Sequence, residues 1–373
     1  INGLYWGMYH TIERIEDDFF ESHFGGDADD YDANKDLSGG TAVEIIDGDN
    51  ADWLNVIAIA NAGVATEAGY AQLKAEIDID NMIDYLMMNF FILNDDWDHN
   101  NWRTGTLQGP DGRFRFFSWD AERSDINALS GINQGVNADI QNLNRPNRSS
   151  RVHQQLRANP EYRLRWADRV HVNCFNGGPL TPEKVIERYH ERADQIRLAL
   201  VAESARWGDR HNPVTPMTPD VPWEGNLINM TSNFFPLRTG VMVSQYRSSG
   251  LYPNLDAPEF NRHGGLFTNG FQLVINGPTN IYYTVDGSDP REYLTGSVLG
   301  TAYAGPITLT HDVRVKARSF DGVEWSALTD AFFTEISPPA LHLSELMYHP
   351  RDPTPAEALA GYTASYFEFI EFC

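Results

Sequence analysis

The spacing of apolar positions changes several times along the chain, and each change marks an expected element. Gly3-Leu-Tyr-Trp-Gly-Met-Tyr9 is an aromatic run with glycines near its ends and predicts a strand. Glu13–Phe20 predicts a helix. A polar stretch rich in Gly and Asp then runs to Asn50, and an Ala-rich helical pattern starts at Trp53. Ile83, Leu86, Met87 and Phe90 recur at helical spacing, which predicts a helix over Met82–Leu93 with Asp80 as its N-cap. That helix leads straight into Asn94-Asp-Asp-Trp-Asp-His-Asn-Asn101, and a strand over Arg113–Trp119 ends at Asp120. Thr181-Pro182 opens a further helix, with Ile186, Tyr189, Ala193, Ile196 and Leu200 on one face to about Trp207.

After Gly208 the texture changes. His211–Trp223 holds four prolines, and residues 211–270 are expected to connect two units. From Phe271 the pattern becomes short and β-like, with Ile281–Val285, Pro306–Thr310 and Val313–Phe320 separated by Asp-Gly turns. Residues 271–335 therefore predict a small antiparallel β-sandwich. Pro338-Pro339 sets off a last piece, 341–373, expected to be a partial β domain. The expected fold class is α+β.

Composition narrows the function. With 373 residues and 42% hydrophobic content the chain can build two or three cored domains. No apolar run approaches the ~20 residues of a membrane span. The 28 basic and 52 acidic side chains give a net charge of −24, which argues against binding nucleic-acid phosphates. Residues 1–52 are strongly acidic and residues 145–210 basic. Lysine occurs only at 35, 74, 184 and 316. Cys174 and Cys373 are too far apart in sequence to suggest a metal knuckle, and Cys174 is expected to be a buried thiol. A start inside one expected strand and an end inside another suggest a piece of a longer chain.

The densest polar cluster joins Asn94–Asn101 to Trp119-Asp120-Ala-Glu122. Phosphoryl transfer uses such a set: one Asp to orient the attacking hydroxyl, and an Asn and a second Asp to hold metal against phosphates. The kinase spacing Asp-x-x-x-x-Asn fits both Asp96 with Asn101 and Asp95 with Asn100. Asp96 and Asp120 would equally serve as a glycosidase pair, because sequence does not give their separation. Acids at a helix C-terminus oppose its dipole, so the loop favours a cation partner over a capping role. His99 reads as a turn residue. Asp27–Asp32 begins like an EF-hand, but Asp32 and Ser38 stand where Gly and Glu are required. Dinucleotide, P-loop, zinc-protease and serine-hydrolase motifs are missing from the sequence.

These residues resemble the CotH family of secreted and spore-coat atypical protein kinases. The resemblance runs through Tyr5–Tyr9, Glu13-Arg-Ile15, Phe19-Phe20, Phe24-Gly25, Asp96 to Asn101-Trp102 and Phe116–Asp120. It continues through Asn159–Arg163, Ala167–His171 and Asn176–Pro182, and so covers residues 1–210. It selects Asp96 and Asn101, and implies Asp96 as catalytic residue, Asn101 and Asp120 as metal ligands and Glu122 as an assisting acid. Lys35 resembles the family's phosphate-facing lysine. Glu13 resembles the acid that orients that lysine or pairs with an arginine. The resemblance implies ATP and Mg²⁺ as cofactors, a protein Ser/Thr phosphoacceptor, and a cell-surface or extracellular setting. Strands that precede the aromatic run in the family are not in this sequence, which implies a truncated kinase-like domain. Residues 271–335 resemble the chitobiase/β-hexosaminidase C-terminal module, and Leu341–Pro350 with Phe369–Glu371 the start of a lamin-tail domain. The alternative function is a non-catalytic surface or adhesion protein.

Overall fold

The computed structural model describes residues 3–9, 11–36, 42–125, 134–210, 213–336 and 343–372, and in these the chain is mixed α+β. Residues 3–9 of the opening aromatic run do not form a strand, and among the described residues no strand pairs with them. Their polar groups turn instead to a distant helix. Tyr5 Oη and the Met8 N–H both donate to the Glu203 carboxylate at 2.9 Å, and Trp207 Nε1 donates to the Trp6 carbonyl at 3.1 Å. The first helix, α1, spans Asp17–Phe24, later than the pattern suggests. Asp17 and Asp18 occupy its first turn, where acids favour the helix dipole, and Phe20 is its buried anchor.

The polar stretch before Asn50 contains two strands that the sequence pattern hides, β1 (Tyr31–Asp36) and β2 (Val43–Asp47). One face of β1 is polar yet buried. Asp32 accepts from the Asp49 N–H and from Gln108 Nε2, each at 2.9 Å, and Asn34 donates to the Asp49 carbonyl. Three helices follow: α2 (Ala51–Ala62), α3 (Glu67–Glu76) and α4 (Ile79–Ile92). The N-cap of α4 is Asp78, which accepts from the Asn81 N–H at 3.1 Å. The expected cap, Asp80, is drawn away into an ion pair with Arg165. Strands β3 (Trp102–Leu107) and β4 (Arg115–Ser118) complete an antiparallel sheet ordered β2-β1-β3-β4. In its register Lys35 faces Glu44 on one side and Arg103 on the other.

Helices α5 (Ser149–Leu156), α6 (Pro160–Cys174) and α7 (Pro182–Trp207) come next. Residues 223–257, expected to be part of a connector, belong to the core instead. They form α8 (Trp223–Asn229), a π-turn over Met230–Phe234 and α9 (Phe235–Ser248). Met230, Phe234, Phe235, Met242, Val243 and Tyr246 join the cluster built on Trp53, Trp97, Trp102 and Trp166. Cys174 is a buried free thiol in this cluster, and burial pushes its pKa up; Cys373 lies outside the described residues.

The β unit also begins earlier than 271. Its strands are β5 (Glu259–Phe260), β6 (Gly265–Phe267), β7 (Phe271–Leu273), β8 (Ile275–Asn276), β9 (Ile281–Thr284), β10 (Thr301–Ala302), β11 (Ile307–Leu309), β12 (Val313–Ser319) and β13 (Thr329–Glu335). The main sheet is ordered β10-β9-β12-β13-β6, antiparallel except for the parallel pair of β13 with β6. Beyond it, β14 (Leu343–Met347) and β15 (Phe369–Phe372) form an antiparallel pair.

The β unit is clamped to α6. Arg318, 1% exposed, donates to both oxygens of Asp168 on α6 at 2.7 Å and to both of Asp289. Arg291 makes a second two-point pair with Glu161. No helix among the described residues is long and apolar enough to cross a membrane.

Candidate active site

An α-helix leaves its last four carbonyls without partners inside the helix. At the end of α4 these groups are taken up by other parts of the fold. Arg238 of α9 donates to the Phe90 and Phe91 carbonyls at 2.5 and 2.9 Å, the Asp125 N–H to Ile92 at 3.1 Å, and Gln134 Nε2 to Leu93 at 3.4 Å. The loop that follows is folded by its own side chains. Asn94 Oδ1 accepts from the N–H groups of Asp96 and Trp97 at 3.2 Å, its Nδ2 donates to Asn89, and Trp97 is sunk in the core with Nε1 donating to Tyr85 Oη at 2.6 Å.

Asp96, Asn101 and Asp120 meet where this loop joins the β3–β4 hairpin. Asn101 Nδ2 donates to Asp96 Oδ2 at 3.2 Å and to the Asp120 carbonyl at 2.9 Å. Asp96 Oδ1 accepts from Asn100 Nδ2 at 2.8 Å and lies 3.3 Å from His99 Nε2. Asp95, the rival in the spacing argument, turns outward to Arg123 at 3.1 Å. The Asp96–Asn101 register is therefore the one the fold brings together. Asp98, Asn101 and Asp120 have φ of 84°, 58° and 49°, left-handed values that cost a non-glycine residue about 1–3 kcal/mol each. Asn and Asp enter this region more readily than other non-glycine residues, and three of the seven such residues among the described residues fall in this loop and turn.

The electrostatics are crowded with negative charge. Burial holds the Glu122 carboxyl above its usual range, and the hydrogen bond and charge of Asp120, with the charge of Asp96, push it the same way. Asp98 is buried under the loop. Burial pushes its carboxyl up to about 6, against hydrogen bonds from the Ser150 N–H and Ser149 Oγ.

Lys35 and Glu13 do not meet. Lys35 Nζ pairs with Glu44 at 3.1 Å, and Glu13 pairs with His23 at 2.8 Å on an exposed edge. The expected Glu13–Lys35 or Glu13–arginine contact is replaced by these local partners. Lys35 does stand beside the site, because its cross-strand neighbour Arg103 is two residues past Asn101. Arg103 stacks on the ring of Trp119, 4.3 Å from its centroid, directly before Asp120. Neither Arg103 nor Trp119 was singled out as functional by the sequence. Strand alternation was the available signal, because a buried Trp102 puts its neighbour on the opposite face.

Among the described residues no group of three or more His, Cys, Asp or Glu is arranged to hold a metal ion. The donors at the site are the Asp120 and Glu122 carboxylates and the Asn101 amide. Such hard oxygen donors suit Mg²⁺, which keeps several waters and needs only one or two protein carboxylates. The crowding that raises Glu122 is also what a cation would relieve.

Residues 1–226 match the family model described as CotH kinase protein, and residues 273–329 match the model described as Fn3 associated. The second match falls where the sequence resembled a chitobiase-type module. No curated protein matches the chain.

Proposed function

Because the chain belongs to the CotH kinase family, we propose that it transfers the γ-phosphoryl group of ATP to Ser or Thr hydroxyls of a protein at the cell surface or outside the cell. The observation that carries the reading is the convergence of Asp96, Asn101 and Asp120 on one junction, with the Asn101 amide bridging the other two. In this reading Asp96 accepts the proton of the attacking hydroxyl. Its carboxylate is oriented for this by Asn100 and Asn101 on its two oxygens. Asp120 and Asn101 would hold Mg²⁺, with Glu122 assisting. Bound Mg²⁺ supplies charge neutralisation and in-line alignment of the phosphates. Lys35 contacts phosphate from the end of β1, exchanging its Glu44 partner for the ligand.

Calorimetry of ATP binding with and without Mg²⁺ tests this, on the wild type and on Asp120→Asn. Loss of one metal carboxylate costs about 2–4 kcal/mol of affinity if charge-assisted coordination carries binding. Binding that needs Mg²⁺ and collapses in the variant supports the reading. Binding indifferent to Mg²⁺ and to the substitution overturns it.

A further inference from the structure

A guanidinium taken out of water needs partners, because burying an unpaired charge is costly. Two of the deeply buried arginines meet that requirement in full. Arg238 bonds four main-chain carbonyls, and Arg318 bonds two carboxylates and the Ser326 carbonyl. Arg103 does not. It is 7% exposed, its buried Nε has no hydrogen-bond acceptor, and among the described residues no carboxylate lies within ion-pair distance of it. Its guanidinium lies over the ring of Trp119. Burial holds its pKa down and the charge of Arg14 works the same way, opposed by Glu16, Asp36 and Glu44 at longer range.

Its position gives this unpaired charge a meaning. Asn101 lies two residues before it on the chain, Trp119 beneath it precedes Asp120, and Lys35 is its cross-strand neighbour. Two cations thus stand side by side on β1 and β3, at the end of the sheet where the three site residues converge. The ring of Trp119 lies against the guanidinium, which is 4.3 Å from the ring centroid, and arginine's planar fork is suited to a two-point oxyanion acceptor such as phosphate.

We propose that Arg103, with Lys35 beside it, is a phosphate-binding residue of this site and receives oxyanions of the nucleotide's phosphate chain. The identity of the ligand rests on the phosphoryl-transfer reading, whereas the demand for an oxyanion rests on Arg103 alone. A structural arginine would be missed when removed. One held for a ligand leaves the ligand-free protein as stable or more stable when an apolar chain replaces it.

The test uses the full chain, with inorganic triphosphate and ATP as probes in calorimetry, on wild type, Arg103→Met and Arg103→Lys, together with melting temperatures without ligand. The expected result is a loss of at least tenfold in triphosphate affinity for Arg103→Met, partial recovery in Arg103→Lys, and a ligand-free melting temperature unchanged or raised. Equal affinity in all three proteins, no triphosphate binding by the wild type, or a drop of several degrees in ligand-free Arg103→Met overturns the proposal. Triphosphate binding through Arg103 without ATP binding overturns the nucleotide as the source of the oxyanion. If both probes bind through Arg103 while Mg²⁺ and Asp120→Asn have no effect, the oxyanion site stands and the phosphoryl-transfer reading fails.

Discussion

Arg238→Met tests how the site loop is held. Arg238 is 1% exposed, and its four hydrogen bonds run to Phe90 and Phe91 at the end of α4 and to Val136 and Ala138 beside it, at 2.5, 2.9, 2.8 and 3.0 Å. Hydrogen bonds to a charged group contribute about 1.5–3 kcal/mol each, and a buried carbonyl left without a donor costs about 1–3 kcal/mol. Relief from burying the guanidinium offsets part of this, because desolvation is the largest influence on its pKa. The net expectation is a loss of about 3–5 kcal/mol, the cost of buried carbonyls left without a donor less that relief. Urea unfolding measures the loss, and amide hydrogen exchange locates it. Exchange should quicken first over residues 94–101, which hang from the released helix end. Arg238→Lys, which keeps the charge but offers at most three donors, should fall between the two. A loss under about 1 kcal/mol for Arg238→Met, or loop exchange equal to that of the wild type, would refute the idea that these carbonyls depend on Arg238.

Asp168→Asn leaves Arg318 buried with half its carboxylate partners and should cost about 3–5 kcal/mol, read as a lower urea midpoint and faster proteolysis of the β unit. Burial pushes His153 down to about 3 and His171 down to about 4. The unfolded chain protonates these near ~6.5, so below that value it binds more protons than the fold. Their contribution is therefore complete above about pH 6.5 and is lost as pH falls, by up to ~1.4 kcal/mol per pH unit per histidine. Unfolding midpoints at pH 7 and pH 5 should show the slope, and His153→Phe should flatten it.

The proximity of Asp96, Asn101 and Asp120 was more legible than the scaffold around them. Asp96 and Asn101 share one short loop, but the spacing fitted Asp95 with Asn100 equally, and the family resemblance chose between them. The cap of α4 was misread because Asp78 and Asp80 are equally good N-caps in sequence, and Arg165, remote in the chain, decides between them. Residues 223–248 read as a connector because Gly225, Pro236 and Gly240 interrupt them and a π-turn over Met230–Phe234 breaks the helical period. The polar face of β1 carries no apolar alternation, because hydrogen bonds from Asp49 and Gln108 satisfy Asp32. Lys35 was placed near the site by resemblance, but its partner Glu44 follows from strand register, which one sequence does not reveal.

Helix α6 limits how modular this chain is. Tyr162, Trp166, Ala167, Val170 and Cys174 are spent on the kinase-like core, while Glu161 and Asp168 are spent on the arginines of the β unit. One helix thus answers to two units that match separate family models. Exchanging the β unit for another would leave Glu161 and Asp168 without Arg291 and Arg318, and a cut at residue 226 would strip α4 of Arg238 as well.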